Sequence, residues 1–464
     1  MAGVPLMERA AFALHVRVCA VLVTLRGRVA GSRVLVLAGS GNNGGDALYA
    51  GALLARRGVE VRAVVATDRV HGGGLEALTR AGGRVVPQPT ATDLVLDGLL
   101  GIGADGSGLR GRAAEIVEGL VGSPFVVAVD VPSGIGVDDG TASGVVLDAD
   151  LTVTFGCPKP GLLLPPAARR AGTVEVVDLG LALDAAPSVA RLEPHDVASL
   201  WPVPAPDAHK YTRGVVGVVA GSRAYPGAAI LTTTAAVRAG VGMVRYLGDV
   251  GDAVVARNPE VVVGNGRVQA WVFGPGVSTD DAGQRRRIGY AFEHVQAKDE
   301  PAVVDAGALA LLPERVGPHA VLTPHAGELA ELLTARGEDV DRAAVEAEPL
   351  RWARRAHELT GATVLLKGAV TVVVGANGAT YAQADAPPWL ATAGAGDVLA
   401  GLLGALMAAR TDAIQEDPTV PAALAAMAAM VHGLAARRAN PDGPVSAAAV
   451  AEALPGTVAE LLTA

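Results

Sequence analysis

Cysteine is almost missing from this chain. Cys19 and Cys157 are the only two in 464 residues, which excludes a disulfide framework and offers no cysteine-based metal-ligand spacing. A reducing, cytoplasmic setting is therefore expected. Aromatic residues are also scarce, at 3% of a chain that is half hydrophobic, so Ala, Val, Leu and Gly must build the interior. There is no excess of positive charge: the formal net charge is -9 and the pI is near 5.5. That removes the electrostatic reason to expect nucleic acid or an acidic membrane as a partner and leaves small molecules. Long uninterrupted apolar runs are lacking too. The stretch 10–25 is broken by His15 and Arg17 and has no cleavage pattern, so it reads as a helix rather than a signal peptide. Residues 418–436 are uncharged but mostly Ala, with Pro421 and His432 inside, which is poor membrane material. Lysine is rare: only Lys159, Lys210, Lys298 and Lys367 occur among 38 basic residues. A compact ammonium where Arg dominates suggests a point-charge role.

What is present is alternation. Short branched-aliphatic runs at 34–38, 61–66, 94–96, 125–129 and 151–155 are separated by stretches that can form helices. This is the pattern of a parallel sheet covered on both faces. It pauses at 184–211, where Pro187, Pro194, Pro202, Pro204 and Pro206 cluster, and restarts with strands expected at 215–220, 270–273, 302–305, 320–323, 364–367 and 371–374. Helices are expected at 396–410, 422–437 and 446–462. The chain is too long for one ordinary core, so two α/β domains are expected, 1–190 and 191–464.

The most informative segment is Thr392-Ala393-Gly394-Ala395-Gly396-Asp397, followed by an apolar helical run. Gly394 and Gly396 would let backbone N–H groups approach a transferring phosphoryl group at a helix start, where unpaired donors and the helix dipole favour negative charge. Asp397 could then take the proton from an attacking hydroxyl. A glycine-rich turn with an Asp in the first helical turn is the plainer alternative.

A second glycine loop, Gly39-Ser40-Gly41-Asn42-Asn43-Gly44, follows the strand at 34–38 and opens a helix, formally satisfying GxGxxG, with Asp68 where a ribose-binding acid would stand. A dehydrogenase reading is legitimate on these residues. Against it, Asp46 would put a carboxylate beside an incoming pyrophosphate, a conflict that a cation would remove. Asp97 and Asp130 also stand at the C-terminal ends of strands, the face where open α/β sheets bind ligands. Helix capping or a turn role would explain any one of these acids alone. Lys159, between Pro158 and Pro160, is held by a stiff backbone.

GSGNNGGD at 39–46, DGLLGIG at 97–103, DVPSG at 130–134 and FGCPKPG at 155–161 together resemble the NAD(P)H-hydrate epimerase family over about residues 1–185. The resemblance implies a Rossmann-like parallel-sheet sandwich. It would put the hydrate on Asn42, Asn43, Gly44, Gly45 and Asp46, on the loop Gly101, Ile102, Gly103, Ala104, Asp105, Gly106 and Ser107, and on Asp130. It also implies potassium on Asn43, Asp97 and Ser133. The loop 103–108 is richer in Gly than the family pattern. Asp130 and Lys159 form the candidate pair for proton movement at the epimerising carbon.

In the second half, HKYTRG at 209–214, GSRAYPGA at 221–228, FGPG at 273–276, TPHAGE at 323–328, Lys367-Gly368 and TAGAGD are similar to the ribokinase-like dehydratases of NAD(P)H hydrates, over about residues 195–464. Ser278 departs from the usual GPGLG and Ala326 from TPHPGE. The resemblance implies hydrate contacts at Ala228, Gly276, His325 and Asp397. An adenine nucleotide would lie on Lys367, Gly368, Ala369, Val370, Thr371 and Gly396. ADP would be the phosphoryl donor with Mg2+, and Asp397 the catalytic base. The expected substrates are NADH and NADPH hydrates, and a homo-oligomer is expected. A ribokinase-like small-molecule kinase fused to a non-catalytic binding or dimerisation module is the alternative.

Overall fold

The computed structural model describes residues 6–463 apart from 183, 184 and 279. The chain divides into two compact units, Met1–Ala186 and Pro187–Ala464.

The first unit is built on seven strands: β1 Arg33–Ala38, β2 Glu60–Val65, β3 Arg84–Val85, β4 Leu94–Gly98, β5 Phe125–Val129, β6 Leu151–Phe155 and β7 Thr173–Val177. All run parallel, in the order β3-β2-β1-β4-β5-β6-β7. β1 and β4 are buried along nearly their whole length, as strands covered on both faces must be. The helices Leu6–Arg26 and Asn42–Arg56 bury Leu14, Val18, Leu22, Leu48 and Leu54 against one face. Ile116 and Leu109 help close the other. The chain leaves β1 toward β2 on one side and reaches β4 on the other, so the loops after β1 and β4 diverge and open a crevice. The two loops touch where Gly39 N donates to Gly98 O at 3.0 Å. A Cβ on Gly39 would lie 1.9 Å from Leu99 O, so nothing larger fits.

The second unit carries nine strands: β8 Val215–Val219, β9 Met243–Tyr246, β10 Val262–Val263, β11 Ala270–Phe273, β12 Ala302–Val304, β13 Ala320–Leu322, β14 Thr363–Leu366, β15 Thr371–Val374 and β16 Thr380–Gln383. Their order is β10-β9-β8-β11-β12-β13-β14-β15-β16, parallel up to β14 and antiparallel through β15 and β16. The switch point lies between β8 and β11, where Gly221 N donates to Pro275 O at 2.7 Å. The helix Ala395–Ala409 is buried almost throughout. Small residues let it approach its neighbours: a Cβ on Gly401 would lie 2.1 Å from Thr232 O, and one on Gly404 2.0 Å from Val272 Cγ2. The helix Val420–Ala439 is the one described helix long and apolar enough to cross a membrane by composition, and most of it is core.

The buried strands stand where the branched-aliphatic runs predict them. β3, β7, β9, β10 and β16 are unforeseen; they are short or half-exposed strands at or near sheet margins, so an apolar run does not mark them.

Candidate functional site

In the first unit the crevice is lined by strand-end acids. Asp97, wholly buried near the end of β4, accepts hydrogen bonds from Ser133 N (2.9 Å), Ser133 Oγ (2.6 Å) and Leu99 N (3.2 Å). Burial pushes its carboxyl up to about 6 although those bonds pull it down. The Ser133 hydroxyl also accepts from Leu100 N at 2.9 Å. The Asn43 amide reaches Leu100 O at 3.0 Å and Val129 O at 2.6 Å. Asn43, Asp97 and Ser133 therefore meet around the mouths of β4 and β5.

Asp130 follows β5 with φ at +66°, a conformation few side chains adopt. Its Oδ1 accepts from Thr154 Oγ1 (2.9 Å), Phe155 N (3.1 Å) and the Lys159 ammonium. Lys159 is further held by Thr154 Oγ1 (3.0 Å) and Phe155 O (2.9 Å). The expected pair Asp130 and Lys159 thus forms one ion pair. Asp46 is buried in the first turns of Asn42–Arg56, with no partner for its Oδ1 among the described residues. Burial and then the charge of Asp130 push it up to about 7.

Gly44 and Gly45 are buried at the helix start, and a Cβ on Gly44 would lie 2.3 Å from Gly39 O. Of the loop 101–107, Gly101 lies against the Asn43 side chain and Ile102 is exposed. Asp105 is used locally: it accepts from Ser107 N at 3.0 Å and Ser107 Oγ at 2.5 Å. Gly106 O accepts from Ser143 N and Oγ, and Ala104 O from Val137 N, fixing this loop to the segment that follows Ser133. Asp68 is exposed in the bend after β2.

In the second unit, Gly394 has φ +87° and caps Ala395–Ala409, which makes Gly396 the second and Asp397 the third helical residue. Asp397 is half-buried. Burial first, and the charge of Asp305 second, push its carboxyl up to about 6, while Lys367 pulls it back. Lys367 follows β14 and begins the hairpin Gly368-Ala369-Val370 into Thr371; Gly368 and Ala369 are exposed and Val370 is buried. Its Nζ lies 2.9 Å from Asp305 Oδ1 and 3.7 Å from Glu328 Oε2. Burial pushes the ammonium down, but Asp305, Glu328 and Asp397 outweigh it and hold it above its ordinary value. A Cβ on Gly396 would lie 3.4 Å from Lys367 Nζ.

His325 caps the helix Ala326–Thr334: its Nδ1 accepts from Glu328 N at 3.1 Å while Glu328 Oε2 accepts from His325 N at 2.8 Å. The ring stays largely exposed, and Lys367 N donates to Pro324 O at 2.9 Å, so the TPHAGE loop and the lysine hairpin are tied side by side. Ala326 occupies the first helical position, where proline is favoured because that N–H needs no intrahelical partner, and alanine is itself a strong helix former. Ala228 and Gly276 touch: Gly276 has φ +63° and a Cβ there would lie 2.5 Å from Ala228 Cβ. Leu231, three residues beyond Ala228, packs on Gly394. Ser278 N donates to Gln284 Oε1 at 2.7 Å, and Gln284 Nε2 donates to Gly221 O at 2.7 Å, bracing both glycine loops.

Asp305 was not among the sequence candidates, nor was its anchor Thr323, which donates to Asp305 Oδ1 at 2.8 Å. The available signal was an acid directly after the strand at 302–304, the same placement that singled out Asp97 and Asp130. His432 is also new to the site: it is buried in Val420–Ala439, and burial and then the Lys367 charge push its imidazole down to about 4. Among the described residues no group of three or more His, Cys, Asp or Glu forms a metal cage.

Comparison with known proteins separates the same two halves. A family model for NAD(P)H-hydrate dehydratase matches residues 216–455, and one for the YjeF-related protein N-terminus matches residues 4–161. A bifunctional NAD(P)H-hydrate repair enzyme of Mycobacterium tuberculosis is 46% identical over 417 residues, covering 87% of this chain and 84% of that protein. One from Corynebacterium glutamicum is 34% identical over 524 residues, covering 92% and 89%. Among solved structures, an ADP/ATP-dependent NAD(P)H-hydrate dehydratase of Bacillus subtilis, co-crystallised with ATP and Mg2+, is 26% identical. It matches 60% of this chain and all of its own with a TM-score of 0.51.

Proposed function

This chain belongs to the family of bifunctional NAD(P)H-hydrate repair enzymes, and from that premise we propose how its residues divide the work. Residues 191–464 form the dehydratase. A hydroxyl is a poor leaving group, so the reaction first makes it a phosphate ester: the hydroxyl of the S hydrate attacks the β-phosphorus of ADP, AMP leaves, and loss of phosphate restores NADH or NADPH. Asp397 accepts the hydroxyl proton, and the N–H groups from Gly394 to Gly396 receive the charge on the migrating phosphoryl. Lys367, Gly368, Ala369, Val370 and Thr371, with Gly396, hold the nucleotide; Ala228, Gly276 and His325 hold the hydrate. The observation that carries this reading is the helix mouth itself, where a half-buried carboxylate at 397 stands with an ammonium against Gly396.

Mg2+ neutralises phosphate charge in such transfers. The described residues make no cage for it, which suits an ion carried in on the nucleotide's phosphates with its own waters.

Residues 1–190 form the epimerase, needed because a stereospecific phosphoryl site can orient only one hydrate epimer. Asn42, Asn43, Gly44, Gly45 and Asp46, the loop 101–107 and Asp130 bind the hydrate, and Asp130 with Lys159 moves the proton. Potassium suits Asn43, Asp97 and Ser133: Asp97 is wholly buried with no cationic partner among the described residues, beside two backbone carbonyls already gathered by Asn43. The unlinked Cys19 and Cys157 support a cytoplasmic setting. Exposed Phe12, Val16 and Val23 along the first helix support self-association.

A product assay tests the whole reading. Mixed hydrate epimers with ADP should yield AMP, inorganic phosphate and restored absorbance of reduced nicotinamide. Accumulation of a stable phosphorylated alcohol would instead mean a kinase.

A further inference from the structure

We propose that Asp305 is a positioning residue of the dehydratase reaction, clamping Lys367 beneath Gly396 so that ammonium and base carboxylate face the phosphoryl group from fixed points. The inference rests on the dehydratase reading above.

Asp305 is built into its place from several directions. It follows β12, is 2% exposed, and accepts from Thr323 Oγ1 at the end of β13. Its N donates to Phe273 O at 3.1 Å, and its own carbonyl presses on Gly274, where a Cβ would lie 1.7 Å away. Ala306, next in the chain, is held at φ +45°, a turn few non-glycine residues take. A carboxylate fixed this firmly sets the place of any flexible ammonium that pairs with it.

Lys367 is that ammonium. Its Nζ donates to Asp305 at 2.9 Å, while its backbone is tied to Pro324. A Cβ on Gly396 would come within 3.4 Å of Lys367 Nζ and 3.9 Å of Asp305 Oδ2, so both charged groups lie directly under the first turn of the catalytic helix. The charged and titratable groups around Asp397 are Asp305 after β12 and Lys367 after β14. Glu328 on Ala326–Thr334 acts on Lys367, and Lys367 in turn acts on His432 of Val420–Ala439. Free of Asp305, the lysine would have Asp397 and Glu328 as partners, and pairing with Asp397 would occupy the base.

The clamp makes two predictions of opposite sign for the pH dependence of kcat/KM in ADP-driven dehydration, measured on the full chain. Activity needs Asp397 deprotonated, so it falls as pH drops through the pKa of that group. Asp305→Asn removes a negative neighbour and releases Lys367 toward Asp397, both of which favour the carboxylate. The acid limb should move to lower pH by roughly one unit, while the plateau kcat falls roughly tenfold or more. Lys367→Gln removes the positive neighbour, and the acid limb should move to higher pH. A purely structural role would lower activity without moving the limbs apart. Coincident acid limbs in wild type and both variants, or a wild-type kcat in Asp305→Asn, would overturn the clamp. If Asp305→Asn does not fold, Thr323→Val, which frees Asp305 from its anchor, takes its place: the plateau kcat should fall, and a wild-type kcat would overturn the clamp. A wild-type chain that never restores reduced nicotinamide with ADP would defeat the dehydratase reading and the clamp together, an outcome distinct from failure in the variants.

Discussion

At the scale of single residues, the proposed dehydration rests on one carboxylate with a neighbour of each sign. Burial and Asp305 push Asp397 up to about 6, against the pull of Lys367, so in the proposed role it would be ionised at neutral pH yet not so acidic that it refuses a proton. Dehydration should therefore be flat above about pH 7 and fall as pH drops through about 6, where Asp397 becomes protonated; a pH profile that is level down to 5 would exclude it as the base. Asp397→Asn keeps the shape and removes the basicity. It should lower ADP-driven dehydration about 10²–10⁴-fold and leave epimer interconversion at its wild-type rate, read by separating the two epimers chromatographically. In the first unit, Asp97 is a buried carboxylate with no cationic side chain paired to it among the described residues. Potassium should raise the thermal midpoint of the wild-type chain above its value in a bulky organic cation, and Asp97→Asn should lose most of that increment. An equal midpoint in both salts would remove potassium from this position.

At the scale of elements, the strands that could be read from sequence are those buried on both faces. Val34 to Ala38 and Val215 to Val219 are unbroken apolar runs because helices cover both sides of them. β7 and β16 were missed because β7 buries no residue fully and β16 buries the polar Thr380 and Gln383, so neither reads as an apolar run. The same contrast governs the candidate site. Asp397 was legible because glycines on either side of Ala395 announce a helix mouth. Asp305 carried the weaker signal of an acid after a strand, with no motif around it, and only the fold brings Lys367 of the β14 hairpin alongside. Helix packing gives a prediction at this scale. Gly404 lies on the face of Ala395–Ala409 that meets β11, with Val272 Cγ2 only 2.0 Å from where a Cβ would go. Gly404→Ala should destabilise the second unit by about 1–3 kcal/mol, because an added methyl in a filled core displaces its neighbours. Alanine's better helix propensity, about 1 kcal/mol over glycine, would offset part of this. A denaturation midpoint at or above wild type would mean that the helix shifts away from β11 without cost.

At the scale of the whole molecule, each unit has its own sheet, its own switch point and its own core, and each proposed site is drawn from the residues of one unit. What linkage does for the flow of substrate is then open to a direct test. With mixed hydrate epimers and excess ADP, the wild-type chain should restore all the reduced coenzyme in a single phase. Asp130→Asn should restore the S fraction quickly and the remainder only at the uncatalysed rate of epimer exchange. Asp397→Asn should equilibrate the epimers and restore nothing. Mixing these two full-length variants places a working epimerase and a working dehydratase on different chains. If hydrate passes between the sites through solution, the mixture recovers single-phase repair, with a rate that rises with the concentration of the Asp397→Asn partner until dehydration limits it. Repair that stays biphasic at every ratio would mean that hydrate must be handed over within one chain. That result would give the fusion a kinetic role beyond keeping two activities in fixed proportion.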